Sequence, residues 1–346
     1  MKAAVLHEFG KPLRVEEVQD PQPGPDEVVI RVMACGIDGT DLKLLNGFGH
    51  TPALPFIMGH EPAGVVDEVG QDVTRFQPGD RVIPYIFLIP PDSSWYQSSR
   101  EQLCPDMTGV VGVRNAQGAY AERLCIAERQ LVRVPETVAW KDAAVLCDAG
   151  LTAWHAVDRA RLQEGESVVV LGVGGVGSFV VQIAKLRGAK VIAVEQSADR
   201  AQWATDVGAD HVLNTTSDHV PGAVHDLTGA NGTDCVMDIV GSRQTLAHGV
   251  DSLCVGGRLV VVGYTPDTCE LSPKHLAQNE VELIGSRGGT RRDLAAVTEL
   301  MAKGRLRSIV TQTRPLHNVN EALEELRQGR VHGRLVLDLQ QKETPV

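Results

Sequence analysis

The sequence predicts an α/β chain with a doubly wound parallel sheet through its middle, preceded by a β-rich region of antiparallel character. Three observations predict it. The aliphatic run Val168–Leu171 ends in Gly172-x-Gly174-x-x-Gly177 and leads into an apolar, helix-compatible stretch from Ser178 to Arg187. Strands and helices keep alternating beyond it, from Lys190–Val194 to Asp293–Met301. Residues 1 to about 35 alternate instead short apolar runs with turn clusters such as Pro21-Gln-Pro-Gly-Pro25.

The 346 residues suffice for two domains of ordinary size. A hydrophobic share of 43% with 22% charged residues is the profile of a folded globular chain, not a disordered one. Thirty-three Lys and Arg against 44 Asp and Glu give a net charge of −11, which disfavours nucleic acid and anionic membrane as partners. No apolar run is long enough to span a bilayer, and the start, with His7-Glu8 close behind Met1, reads as a strand rather than a signal peptide. Seven scattered cysteines suggest reduced thiols and a cytoplasmic enzyme.

In order, Leu13–Val18 and Glu27–Ala34 read as strands. Cys35-Gly-Ile-Asp-Gly-Thr-Asp41 runs into a helix ending near Leu45. Val65–Gly70 and Val82–Ile89 are further strands on either side of the turn Gln77–Asp80. Residues 90–118 show no period and read as a long loop, a length that is often functional. Gly118–Glu122 and Leu131–Pro135 return to strand. A helix from about Trp140 continues through Cys147–Thr152 into a second helix ending near Leu162. After the glycine-rich turn, His211–Leu213, Cys235–Val240, Arg258–Gly263, Val281–Gly285 and Ile309–Val310 are strands, and Asp199–Val207, Asp293–Met301 and Val319–Gln328 are helices. Arg334–Asp338 is a closing strand and the last residues fray.

The glycine turn points to dinucleotide binding, because strand, turn, helix, second strand and terminal acid occur in the required order. Gly172 permits the tight turn, Gly174 lets the backbone approach a pyrophosphate, and Gly177 lets helix and strand pack closely. Gly175 and Val176 open the helix, whose free N–H groups and dipole favour phosphate. Glu195 ends the second strand. Its carboxylate can accept from both adenosine ribose hydroxyls and would repel a 2′-phosphate, which argues for NAD over NADP. Arg200 could rescue a 2′-phosphate, or contact the ribose from the following helix. The competing reading is a purely structural strand–helix turn.

Three further segments each carry a metal-capable group in a glycine-rich loop: Asp38, His60-Glu61 and Asp148. Taken singly, an Asp in a loop is commonly a cap or turn residue, and a lone His a hydrogen-bonded structural one. Their order adds meaning. Gly59-His60-Glu61-x-x-Gly64-x5-Gly70 resembles the zinc alcohol dehydrogenase motif of the medium-chain dehydrogenase/reductase superfamily. Cys35–Asp41 resembles that family's Cys-Gly-Ile-Cys-x-Thr/Ser-Asp segment, Asp148-Ala-Gly-Leu-Thr152 the segment of its third ligand, and Gly172–Gly177 its coenzyme turn. Gly333–Leu337 resembles its C-terminal strand, so the likeness covers essentially the whole chain.

The resemblance implies a GroES-like β-barrel catalytic domain, residues 1–149 and 286–346, with a Rossmann NAD-binding domain, residues 150–285, inserted, and the active site in the cleft between them. It implies Asp38, His60 and Asp148 as ligands of one catalytic zinc, with Glu61 an intermittent ligand or a supporting group. It further implies that Thr40 begins a proton relay and that Asp41 orients His60. Thr152 and Val176 would contact the nicotinamide, Val262 and Gly263 would add coenzyme contacts, and Arg334 would meet the pyrophosphate. Phe48 and Ile86 would wall the pocket, and Lys43 is either a further relay station or an exposed lysine. Family members pair coenzyme domains edge to edge, which implies a homodimer or homotetramer.

Two departures matter. Asp38 stands where the family usually has a thiolate, so the donor set is one imidazole and two or three carboxylates. That set is harder and should hold zinc less tightly, and manganese or iron(II) comes within reach. Cys35 and Cys147 flank ligand positions but read better as buried apolar thiols. The structural zinc lobe needs four cysteines, and its positions here are Pro90, Ser93, Tyr96 and Cys104. One thiol cannot close a tetrahedral site, so no structural zinc is expected, and the loop is held by packing through Trp95 and Tyr96 or is mobile.

Oxidising an alcohol requires removing its proton, facing its carbon to the nicotinamide and excluding water. A metal with an open position acidifies the hydroxyl, and the coenzyme accepts the hydride. The leading reading is therefore a metal-dependent, NAD-linked dehydrogenase interconverting a secondary alcohol, polyol or sugar-like substrate and its ketone or aldehyde. The alternatives are a zinc-free reductase of the same superfamily acting on enones or quinones, and a non-catalytic nucleotide-binding protein. Intact Thr40, Asp41 and Thr152 argue against the last.

Overall fold

A computed structural model describes residues 1–214 and 219–341. The frayed end expected of the last residues concerns positions 342–346, outside the described residues. The chain forms two compact units, Met1–Asp148 with Thr290–Val346, and Ala149–Gly289.

The first unit is organised on the long strand Glu27–Ile37, whose burial pattern leaves only Arg31 exposed among its central residues. Three strands lie antiparallel to it: Glu61–Val69, Arg123–Ala127 and Arg334–Asp338. The C-terminal segment thus completes the N-terminal sheet, and Val310–Arg314 adds a parallel partner to Arg334–Asp338. Bulges in the pairing of Glu27–Ile37 with Glu61–Val69 bend both strands.

Residues 90–118, read from sequence as a loop, are more structured than that. They contain two 3₁₀ turns, Ser94–Gln97 and Glu101–Leu103, and short strands Gly109–Val111 and Asn115–Ala116. Each is too short to generate a period, which is why the pattern failed there.

In the second unit the six strands among the described residues are all parallel. Counted along the chain as Ser167–Leu171, Lys190–Glu195, His211–Asn214, Thr233–Asp238, Leu253–Val261 and Glu282–Gly285, they lie in the order 3-2-1-4-5-6. This is the doubly wound arrangement, and its strand order reverses between the first and fourth strands. Val169, Leu171, Ile192, Val236 and Leu259 from the sheet meet Val220, Val224 and Val250 from the helices in one buried cluster. Each such side chain contributes about 1.5–3 kcal/mol by leaving water.

The glycine-rich turn sits at that reversal. Gly172 has φ +90°, and a Cβ on Gly177 would lie 2.1 Å from the Gly172 carbonyl oxygen, so helix Gly175–Leu186 reaches its strand only through glycine. Three helices of this unit were not anticipated: Val220–Leu227, Arg243–Asp251 and Pro273–Gln278. Their signals were start signals rather than periods, namely Pro221 and Pro273 in first turns and a capping box between Ser242 and Thr245. Among the described residues no helix is long and apolar enough to cross a membrane.

Candidate active site

Asp38 is both a cap and a member of the metal-capable group. Helix Gly39–Leu45 has seven residues, too few to be stable alone. A capping box starts it. Asp38 Oδ1 accepts the Thr40 and Asp41 amides at 2.7 and 3.3 Å, and Asp41 Oδ2 accepts the Asp38 amide at 2.9 Å. The half-buried Thr40 places its hydroxyl 3.5 Å from Asp38 Oδ2.

His60 and Glu61 lie where strand Glu61–Val69 begins, beside the end of Glu27–Ile37. Gly36 pairs with Glu61 across these strands, and a Cβ on Gly36 would fall 1.9 Å from Glu61 Oε2. Gly36 therefore makes the space in which the Glu61 carboxylate is buried, a role that sequence reading missed. Asp148 comes from a single π-type turn, Leu146–Gly150, between two helical stretches. Such turns recur at functional sites because they push one residue out of helical register.

Asp38, His60 and Asp148 each offer a donor atom within 4.8 Å of the others. His60 Nε2 lies 3.6 Å from Asp38 Oδ1 and 3.7 Å from Asp148 Oδ2. Ligands at about 2.0–2.2 Å from a tetrahedral zinc are separated by about 3.3–3.6 Å, so the two His60 separations are close to those of such an ion. His60 Nδ1 is 3.5 Å from Asp41 Oδ1, the side expected to orient the ring.

Arg334 is the cation of this cluster. The resemblance implied that it meets a pyrophosphate; in this chain its guanidinium is buried against carboxylates. Nη2 donates to Glu61 Oε1 at 2.9 Å, and Nη1 lies 3.6 Å from Asp38 Oδ2 and 3.5 Å from the Ile37 carbonyl. The physical reason is charge: four acidic side chains, Asp38, Asp41, Glu61 and Asp148, surround one imidazole, and burial requires a positive partner. Glu61 thereby stands apart from the three converging donors. Burial pushes its carboxyl up to about 8 despite Arg334. Burial would also raise Asp38, yet His60, Arg334 and the Thr40 amide hold it well below the usual carboxylate range. For His60 burial opposes charging, but Asp38 and Asp41 outweigh it and hold the imidazole well above its ordinary value.

Cys35 and Cys147 are fully buried thiols, pushed up by burial, and Cys147 Sγ donates to the Ala144 carbonyl at 2.9 Å. Neither joins the converging donors. Phe48 is exposed and Ile86 buried. Lys43 lies in the last turn of the Asp38 helix, where burial lowers its ammonium pKa and Asp38 opposes this.

The coenzyme-type turn belongs to the second unit. Helix Gly175–Leu186, with Val176 in its first turn, carries no side-chain cap at Gly174, so its first amides face outward toward any anion. A Cβ on Gly174 would meet nothing within 4 Å, so there is open space for a ligand above the turn. Glu195 ends the second strand, is buried, and accepts the Val173 amide. The acid thus fixes the turn. Arg200 is half-buried in helix Ala198–Asp206, its amide bonded to the capping Ser197 hydroxyl. Thr152 is buried in helix Leu151–Arg159. The amides of Val262 and Gly263 both donate to the Asp238 carbonyl, at 2.9 and 3.1 Å.

Asp238 was missed. Its carboxylate, raised by burial, accepts the Val240 and Gly241 amides and the Thr245 hydroxyl, each at 2.9 Å. It ties down the strand end facing the glycine turn. Its sequence signal was an acid followed at three residues by glycine at the end of an apolar strand.

A chain that carries both a glycine-turn dinucleotide fold and a buried carboxylate–imidazole donor set is, in class, a metal-binding dehydrogenase. Comparison with known proteins makes this specific. Residues 24–136 match the alcohol dehydrogenase GroES-like domain and residues 175–303 the zinc-binding dehydrogenase domain. The chain is 34% identical to an alcohol dehydrogenase of Geobacillus stearothermophilus, over 97% of this chain and 99% of that one. It is 32% identical to an NAD-dependent alcohol dehydrogenase of Sulfolobus acidocaldarius, with the same coverage. The solved structure of a cobalt- and zinc-bound thermostable alcohol dehydrogenase from Pyrobaculum aerophilum superposes with a TM-score of 0.88 at 32% identity, covering 98% of this chain and 99% of that one. The chain belongs to the zinc-dependent alcohol dehydrogenase family of the medium-chain dehydrogenase/reductase superfamily.

Proposed function

We propose that this chain is an NAD-dependent alcohol dehydrogenase in which Asp38, His60 and Asp148 hold one catalytic divalent cation. It interconverts an alcohol and its ketone or aldehyde. The observation that carries the ligand assignment is the convergence of one imidazole and two carboxylate donors within 4.8 Å. When bound, the metal supplies Lewis acidity that lowers the pKa of an alcohol hydroxyl. NAD supplies the hydride acceptor.

The chain's own residues do the rest. Thr40, its hydroxyl beside Asp38, takes the alcohol proton and hands it on toward solvent. Arg334 holds Glu61 and balances the carboxylates, so that Glu61 supports the site rather than serving as a permanent ligand. Gly172, Gly174, Gly175, Val176 and Gly177 offer backbone to the pyrophosphate, and Glu195 selects the unphosphorylated ribose. Thr152, Arg200, Val262 and Gly263 complete the coenzyme contacts.

The zinc-free reductase of enones or quinones is not favoured, because the donor set is intact and the relatives are alcohol dehydrogenases. We further propose a homodimer or homotetramer. The edge strand Glu282–Gly285 leaves three of its four residues exposed, Leu283 among them, as a strand awaiting a partner would. A cytoplasmic location is supported by the seven free cysteines, none of them disulfide-bonded among the described residues.

The test is metal content per chain, measured by plasma mass spectrometry on protein purified without chelator or nickel, together with NADH fluorescence on an alcohol panel. About one divalent ion per chain, with oxidation lost on chelation, is the expected result. Metal-free protein that still turns over would sink the assignment.

A further inference from the structure

Residues 90–104 occupy the place of the family's structural zinc lobe, and their side chains do not fit that metal. Pro90 has no donor. Ser93 Oγ and Cys104 Sγ lie 3.5 Å apart, hydrogen-bonded to each other. The Tyr96 hydroxyl is turned to Arg291. One buried thiol among hydroxyls cannot make a closed four-thiolate site.

A different cross-link is present. Arg291 is the first residue of helix Arg291–Ala302, whose start is fixed by a capping box between Thr290 and Asp293. Its guanidinium carbon lies 3.7 Å from the centroid of the Tyr96 ring, and Nη1 donates to the Tyr96 hydroxyl. Its backbone amide donates to Glu101 Oε1 at 3.1 Å, and its Nε lies 3.8 Å from the same oxygen. Glu101 is 4% exposed, and a carboxylate so buried needs a cation or amide beside it. The other contacts of Arg291 go to the body of the same unit: Nη1 to the Arg129 carbonyl at 3.1 Å and the guanidinium to the Tyr85 ring at 5.3 Å. Arg291 therefore grips the loop at two points, Tyr96 by its side chain and Glu101 chiefly by its backbone amide, and its side chain reaches the sheet region at two more.

We propose that Arg291 closes the 90–104 loop in place of a structural metal, through its contacts with Tyr96 and Glu101. A planar guanidinium suits this work, since it can stack on one ring, bond a hydroxyl and sit beside a carboxylate together. Cys104, 4% exposed behind this clamp, is the natural reporter.

The experiment is alkylation of the native enzyme with iodoacetamide, each cysteine followed separately by peptide mass spectrometry. Arg291→Ala should speed Cys104 labelling by about tenfold or more, since the loop then opens locally, and Tyr96→Phe by several-fold. Cys35 and Cys147 should stay protected in both. A chelator should leave the Cys104 rate of the unsubstituted enzyme unchanged. If Arg291→Ala fails to fold, Arg291→Lys, which keeps the charge but loses the fork and the stacking, is read with Tyr96→Phe. An unchanged Cys104 rate in the folded variants would overturn the proposal. So would faster Cys104 labelling on chelation alone, or simultaneous exposure of Cys35, Cys104 and Cys147, which would mark Arg291 as a support of the whole domain.

Discussion

The coenzyme turn and the metal-capable cluster solve their tasks with opposite parts of the chain. The turn works with backbone. Its amides, its positive φ at Gly172 and its close approach at Gly177 come from six consecutive residues, and the one side chain that matters, Glu195, arrives one strand later. The cluster works with side chains drawn from positions 38, 60, 61, 148 and 334, and its electrostatics depend on an arginine almost 300 residues from the acid it balances. Backbone recognition is local and tolerates change around it. Side-chain recognition is non-local, and each member conditions the others' charge.

If that contrast is right, substitutions in the cluster should be severe and coupled. His60→Ala should cost the most: on the order of 10³-fold or more in kcat/KM, with metal content falling and NADH binding intact by fluorescence titration. Retained turnover would break the comparison at its strongest point. Arg334→Met should act on stability, because it leaves the buried Asp38 carboxylate, and Glu61 wherever it is ionised, without their cation. A loss of about 3–5 kcal/mol, read by urea unfolding, is expected. A change within error would mean that the carboxylates carry less charge than argued.

Glu195→Ala should be milder. Losing a charged acceptor should raise KM for NAD by roughly tenfold to a hundredfold, while kcat changes little. The preference over NADP should narrow as well, and an unchanged ratio of the two catalytic efficiencies would remove Glu195 from that role.

The last expected effect is a slope. Glu61 titrates at about 8 in the folded chain, against an ordinary value of 4.5. Between those two values the folded protein keeps a proton that the unfolded chain has lost, so its contribution falls as pH rises through the window. Metal-stripped enzyme should lose more stability from pH 5 to pH 8 than Glu61→Gln, with His60, also raised, contributing the same sign to both proteins. Equal slopes would show that Glu61 is not the titrating group.

The same contrast decides what could be read from sequence. The parallel sheet and its turn were legible because Val168–Glu195 holds strand, glycines, helix and acid in unbroken order. Asp38, His60 and Asp148 had no such order, and only the resemblance of whole segments joined them. Arg334 was legible as a cation of the site but the carboxylates it balances were not, because a motif transfers a position and not the charge around it. Gly36 and Asp238 escaped notice because each serves a group elsewhere, Gly36 by having no side chain and Asp238 by bonding amides beyond its strand. Arg291 lies outside every motif, and its contacts join residues nearly 200 positions apart.

Asp38 carries one further consequence. A cysteine at this place could ligate a metal but would cap the helix behind it less well, since sulfur is a weaker acceptor than a carboxylate oxygen. The aspartate caps it through an oxygen that accepts two amides. The loop that presents Asp38 is thus shaped by the polypeptide itself, before any ion arrives. Loading then resembles placing a stone in a finished setting, and little ordering entropy is lost when the ion enters or leaves. An ion held there should therefore come and go without unfolding the chain.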